Sequence, residues 1–167
     1  MKKYCVVVAD SARARIYSLQ IRETPDGSGR PYLHSERDMV NPGRRARDAE
    51  VFTNSRPGTR RGAPGGPGHG VDDHRNEHSA ELERRFANDI VDEIKRVASS
   101  GSCTNLVLAA APRMLGALRS PACKLQRAFD VAELDRDLTK LTPTDVHDHL
   151  AAKELIPPRS RSVEVPR

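Results

Sequence analysis

Between Val40 and Gly70 the chain carries six arginines, Arg44, Arg45, Arg47, Arg56, Arg60 and Arg61, against two acids, Asp48 and Glu50. A guanidinium is charged at every physiological pH and forks onto phosphate oxygens, so this cluster is suited to gripping a phosphate backbone rather than to moving protons. The segment holds a net +4 of the chain's +5. It is also built from breakers: Asn41-Pro42-Gly43, Arg56-Pro57-Gly58, and the run Gly62 to Gly70. Such Pro and Gly density sustains neither a helix nor a central strand. The expectation is a long inserted loop over residues 40–72, either a solvated insertion or a phosphate-facing element that orders on RNA. In the second case the RNA contacts are the six arginines, with Gly65 and Gly66 allowing close approach of the backbone.

Other residues invite catalytic readings. His69, Asp72, Asp73, His74 and His78 lie where the loop gives way to a helical pattern, and His74 and His78 at i, i+4 would share a helix face. The HExxH order is absent, and acids at a helix start are favoured by the helix dipole without any metal. Asp10 follows the first apolar run. It could join Asp135 and Asp137 in a metal-dependent hydrolase or nuclease if the last strand ends beside the first. The plainer expectation is that Asp10 makes a turn, with Arg13 and Arg15 solvated or paired to Glu133 and Asp135. No Lys-Ser/Thr follows the glycine-rich run and no GxSxG elbow occurs, which removes a P-loop and a serine-hydrolase site. Cys5, Cys103 and Cys123 are too sparse for a disulfide framework or a zinc knuckle and read as reduced thiols. No catalytic residue, metal or cofactor is assigned.

The elements that must position these groups follow from periodicity. At 167 residues, 37% hydrophobic and 31% charged, the chain is expected to hold one core, in a single domain over residues 1–155. Tyr4 to Ala9 is a β-branched run fit for a strand buried on both faces. Arg13 to Ile21 alternates as a returning strand, and Pro31 to Met39 reads as a polar edge strand. Leu82, Phe86, Ile90, Ile94 and Val97 step along one helix face, with Asp72-Asp73 as a start and Ser99-Ser100-Gly101 as a stop. Asn105 to Ala111 is a second buried strand, Pro112 opens a helix, and Pro121 is expected to open another helical turn. Ala128 to Leu134 is the last strand. Thr142-Pro143-Thr144-Asp145 caps a closing helix. The order βββ-α-β-α-β-α predicts an α/β fold with a mixed sheet of about five strands, in a ribonuclease H-like arrangement. Residues 156–167 read as a disordered basic tail. No apolar run reaches the roughly 20 residues of a membrane span, and the five-residue run after Tyr4 is short for an export signal, so a cytoplasmic location is expected.

Four separated stretches occur together in order: Val8-Ala9-Asp10-Ser11-Ala12-Arg13-Ala14-Arg15-Ile16-Tyr17, Arg84-Arg85-Phe86-Ala87, Asn105 through Gly116, and Ala132-Glu133-Leu134-Asp135-Arg136-Asp137-Leu138-Thr139. In them the sequence resembles the host-attachment proteins, over about residues 3–152. That family is similar to the middle domain of archaeal and eukaryotic peptide-chain release factors, in which a flexible loop before a long helix carries Gly-Gly-Gln into the ribosome. The corresponding region here is Gly65-Gly66-Pro67. The glutamine is missing, and proline has no N–H to orient a water or an oxyanion. The resemblance therefore implies a release-factor-like domain associated with RNA or the ribosome, in translation rescue, quality control or dormancy, without peptidyl-tRNA hydrolysis. A protein-interaction module that affects attachment to host cells indirectly is the further alternative.

Overall fold

The computed structural model describes residues 3–23, 25, 29–44 and 70–159, with backbone only for 70–76. Five strands form one mixed sheet: β1 (Tyr4–Ala9), β2 (Arg13–Glu23), β3 (Gly29–Val40), β4 (Asn105–Ala110) and β5 (Asp130–Asp135), in the order β3-β2-β1-β4-β5. The helices are α1 (Gly70–Gly101), α2 (Pro112–Ala122) and α3 (Pro143–Ala152). β1 pairs antiparallel with β2, and β2 with β3; β1–β4 and β4–β5 are parallel. The hairpin connections are short enough only for antiparallel pairs, whereas α1 and α2 supply the crossovers that parallel neighbours require. The fold is thus the mixed α/β sheet expected, with the polar third strand at an edge.

The two faces of the sheet bury different sets. On one, Cys5, Val7, Ala9, Ala14, Ile16, Leu106 and Leu108 meet Phe86, Ile90 and Ile94 of α1 and Met114, Leu115 and Leu118 of α2. On the other, Val6, Val8, Tyr17, Leu33 and Val107 meet Leu138, Val146, Leu150 and Ile156. β1 and β4 are sandwiched between both clusters, which is why they read as unbroken apolar runs. Thr142 accepts from the Asp145 backbone N–H at the start of α3, as the sequence suggests.

Several boundaries move. α1 begins at Gly70, so Asp72 and Asp73 fall inside its first turn rather than at its cap. Pro121 lies within α2 instead of opening another turn, and β5 starts at Asp130. The packed domain runs past residue 155: Ile156 is buried, and the Pro157 carbonyl accepts from His147 Nε2 at 2.8 Å. Residues 160–167 of the expected tail lie outside the described residues.

A bulge interrupts β3. Arg37 faces Ile16 and Ser35 faces Tyr17, leaving Glu36 as the extra residue. Because side chains alternate along a strand, one extra residue transfers everything beyond it to the opposite face. Leu33 consequently joins the α3 cluster, while Tyr32 and His34 come to the face that carries α1.

Candidate nucleic-acid interface

The C-terminal ends of the parallel strands gather the turns that hold the start of the arginine segment. Asp10 Oδ1 accepts from the N–H groups of Ala12 and Arg13, at 2.6 and 2.8 Å, which closes the turn between β1 and β2. Asn41, 3% exposed, locks the end of β3 onto that turn. Its backbone N–H donates to the Ala12 carbonyl at 2.8 Å and its Nδ2 to the Ser11 carbonyl at 2.9 Å. Its Oδ1 and backbone carbonyl accept from the N–H groups of Gly43 and Arg44. At Gly43 the chain passes so close to Leu82 of α1 that a Cβ would strike that side chain. The segment therefore leaves the body from a fixed point between the β1–β2 turn and α1.

Its far end is held by the helix. Glu83 is the first described residue that α1 buries, and Ala98 the last. At about 1.5 Å per residue, α1 runs on for roughly 20 Å beyond Glu83 toward Gly70. Arg44, exposed, is the one predicted RNA-contact residue within the described set. Arg45, Arg47, Arg56, Arg60, Arg61, Gly65 and Gly66 lie outside it.

Several cations of the described body pair with its own acids. Glu81 accepts from Arg84 and Arg85 at 2.7 and 2.8 Å, and these contacts hold its carboxyl below the usual range. Glu93 takes Arg37 and Arg96, Asp92 takes Lys95, Glu83 takes Arg113, and Glu133 takes Arg119. Glu133 is therefore occupied by α2 rather than by Arg13 or Arg15. Arg15 instead donates to the Leu141 carbonyl at 3.1 Å and lies 3.9 Å from Asp38.

The acids proposed for metal chemistry are arranged differently from a metal cradle. β4 separates β1 from β5, and Asp10 meets Thr139 instead of Asp135. The Thr139 hydroxyl lies 2.9 Å from Asp10 Oδ2 and 2.6 Å from Asp137 Oδ1, and with one hydrogen it donates to one of them at a time. Among the described residues no group of three or more His, Cys, Asp or Glu is placed to hold a metal ion. His78 is exposed; the side chain of His74 and all of His69 lie outside the described set. Cys5 and Cys103 are buried free thiols and Cys123 is an exposed one.

Asn41, Gly43 and Thr139 escape a reading of sequence alone. Asn41-Pro42-Gly43 signals a chain break, but nothing local says that the asparagine bonds back to residue 11.

The strand order, with one antiparallel hairpin added to a parallel β1-β4-β5 set, defines a ribonuclease H-like α/β domain. The sequence matches the family model "Protein required for attachment to host cells" over residues 5–150, and the chain belongs to that family. No curated protein sequence matches it. Among solved structures it is similar to two of the Aquifex aeolicus Ppx/GppA family, at 13% and 12% identity, both with a TM-score of 0.29. These matches cover 79% and 80% of this chain but 35% and 36% of those, so it spans about a third of their length. Thermus thermophilus RuvC aligns at 12% identity with a TM-score of 0.34, covering 96% of this chain and 85% of RuvC. Among the described residues no helix is long and apolar enough to cross a membrane.

Proposed function

We propose that this host-attachment-family domain is a cytosolic, non-catalytic protein that binds RNA, and specifically the ribosome, through the arginine segment. In that role it would act in translation rescue, quality control or dormancy. One observation carries the reading. In the described body Arg37, Arg84, Arg85, Lys95, Arg96, Arg113 and Arg119 pair with its own acids, while the six-arginine segment is fastened at its start by Asn41 and Gly43 and continues into α1. A rigid base with a net +4 between its anchors suits a polyanion, whose affinity for the chain comes from counterion release. The resemblance to release-factor middle domains points to ribosomal RNA, and Gly65-Gly66-Pro67 in place of Gly-Gly-Gln argues against ester hydrolysis. An effect on attachment to host cells then follows indirectly, through translation.

The test is sedimentation with ribosomes across a salt series, using the full chain and a variant with Arg44, Arg45, Arg47, Arg56, Arg60 and Arg61 changed to Ser. The full chain should co-sediment at low salt and dissociate steeply as salt rises. Six lost phosphate contacts should flatten the log–log slope by about four to five. Equal slopes for the two proteins would refute the assignment.

A further inference from the structure

The β2–β3 ribbon outruns the sheet. β1 pairs with β2 only as far as Ser18, whereas β2 and β3 remain paired to Glu23 and Gly29. Beyond Ser18 the ribbon face on the α1 side carries Gln20, Arg22, Arg30, Tyr32 and His34, and all except Tyr32 are exposed. The bulge at Glu36 is what turns Tyr32 and His34 to this side.

Solvent-facing side chains rarely bond to one another in series, since side chain–side chain bonds are only about a tenth of a protein's total. Here a run of three is present. Tyr32 Oη donates to Gln20 Oε1 at 2.9 Å, Gln20 Nε2 to Ser18 Oγ at 3.1 Å, and Ser18 Oγ to Glu36 Oε1 at 2.5 Å. The chain of donors fixes the ring. Arg22 lies over that ring, 4.8 Å from its centre, and His34 meets it edge-on at 6.5 Å. Arg30 stands directly across the ribbon from Arg22. An open cleft of about 350 Å³ adjoins the ribbon, lined by Ser18, Gln20 and Glu36 with Lys3 across it.

We infer that this face is a second nucleic-acid contact, a stacking platform for single-stranded RNA. An arginine held over an aromatic ring can present its guanidinium to a nucleobase, and every base has a face to stack, so the surface is tolerant of sequence. Arg30 and Lys3 supply cations for the flanking phosphates. Glu36 repels phosphate but accepts from exocyclic amino groups, so it directs a base edge, not the backbone, into the cleft. The inference rests on RNA being the partner but is independent of the arginine segment.

The test is titration of the full chain into a short single-stranded RNA carrying a fluorescent adenine analogue, which reports stacking by quenching. Tyr32→Ala should weaken binding roughly five- to a hundredfold and abolish the quench. Tyr32→Phe, which keeps the ring, should retain both. Changing Arg22 and Arg30 together to Ala should lower the salt slope by about 0.7, for the one phosphate contact of Arg30, and this variant also serves if Tyr32→Ala fails to fold by circular dichroism. Unchanged affinity and quench in folded Tyr32→Ala or in the double variant would overturn the platform, as would no RNA binding by the unaltered chain. The two readings separate cleanly. Loss of binding only with the six-serine variant sinks the platform, and loss only with the ribbon variants sinks the arginine segment.

Discussion

Arg113 Nε donates to Glu83 Oε2 at 2.7 Å, joining the first turn of α2 to the first described residue that α1 buries. The Glu83 side chain is 5% exposed and that of Arg113 is 59% exposed. The pair is asymmetric: removing the arginine strands an anion in the interior, while the arginine itself loses little solvation. Truncating one partner of a fully buried pair costs about 3–5 kcal/mol, and the exposure of Arg113 lets water reduce this to about 1–3 kcal/mol. Arg113→Ala should lower stability by that amount in urea unfolding. Adding Glu83→Gln should recover part of it; a double variant no better than the single would deny the pairing its role.

Gly43 makes a steric prediction. A methyl group there meets Leu82, whose side-chain end can partly yield, so Gly43→Ala should destabilise by about 1 kcal/mol through overpacking. Combining it with Leu82→Ala should give less than the sum of the two single effects. Strict additivity in that cycle would mean that the chain's exit from β3 is not seated on α1.

His147 predicts acid sensitivity. Its ring is fully buried, its Nε2 donates to the Pro157 carbonyl, and its Nδ1 has no partner. Burial, then nearby Arg159, push its pKa below the ordinary 6.5, against the opposing pull of the Pro157 bond and Asp148. The unfolded chain thus binds a proton that the folded chain refuses. Stability should be constant above about pH 7 and fall as pH drops through 6.5 toward the depressed folded value. Urea midpoints measured across that range should show the decline, and His147→Gln, which keeps a donor for Pro157 and cannot titrate, should lessen it. An identical decline in the variant would assign it to other groups.

The thiols should react unequally. Burial is the main influence pushing Cys5 up to about 12, and burial also raises Cys103, whereas Cys123 is exposed. Only a thiolate attacks a disulfide reagent, so one thiol per folded chain should label rapidly at neutral pH, and three after denaturation. Rapid labelling of Cys5 or Cys103 in the folded protein would contradict their burial.

Much of the fold is written locally. Tyr4–Ala9 and Asn105–Ala110 announce central strands because both faces of each must be apolar. Phe86, Ile90 and Ile94 announce one helix face because 3.6 residues make a turn. Thr142 announces a cap because its oxygen reaches an N–H three residues on. The cationic segment is equally legible, being a matter of composition. What sequence alone does not contain is which distant groups meet. Thr139 bridges Asp10 and Asp137 across 129 and two residues respectively, and Asn41 closes on Ser11 thirty residues earlier. Arg15 turns to Leu141 instead of Glu133. The bulge at Glu36, invisible in the alternation of β3, decides which side of the sheet Tyr32 occupies. Periodicity is a property of neighbours along the chain, whereas hydrogen-bond partners and strand register are settled only when the sheet closes and each buried polar group must find a mate.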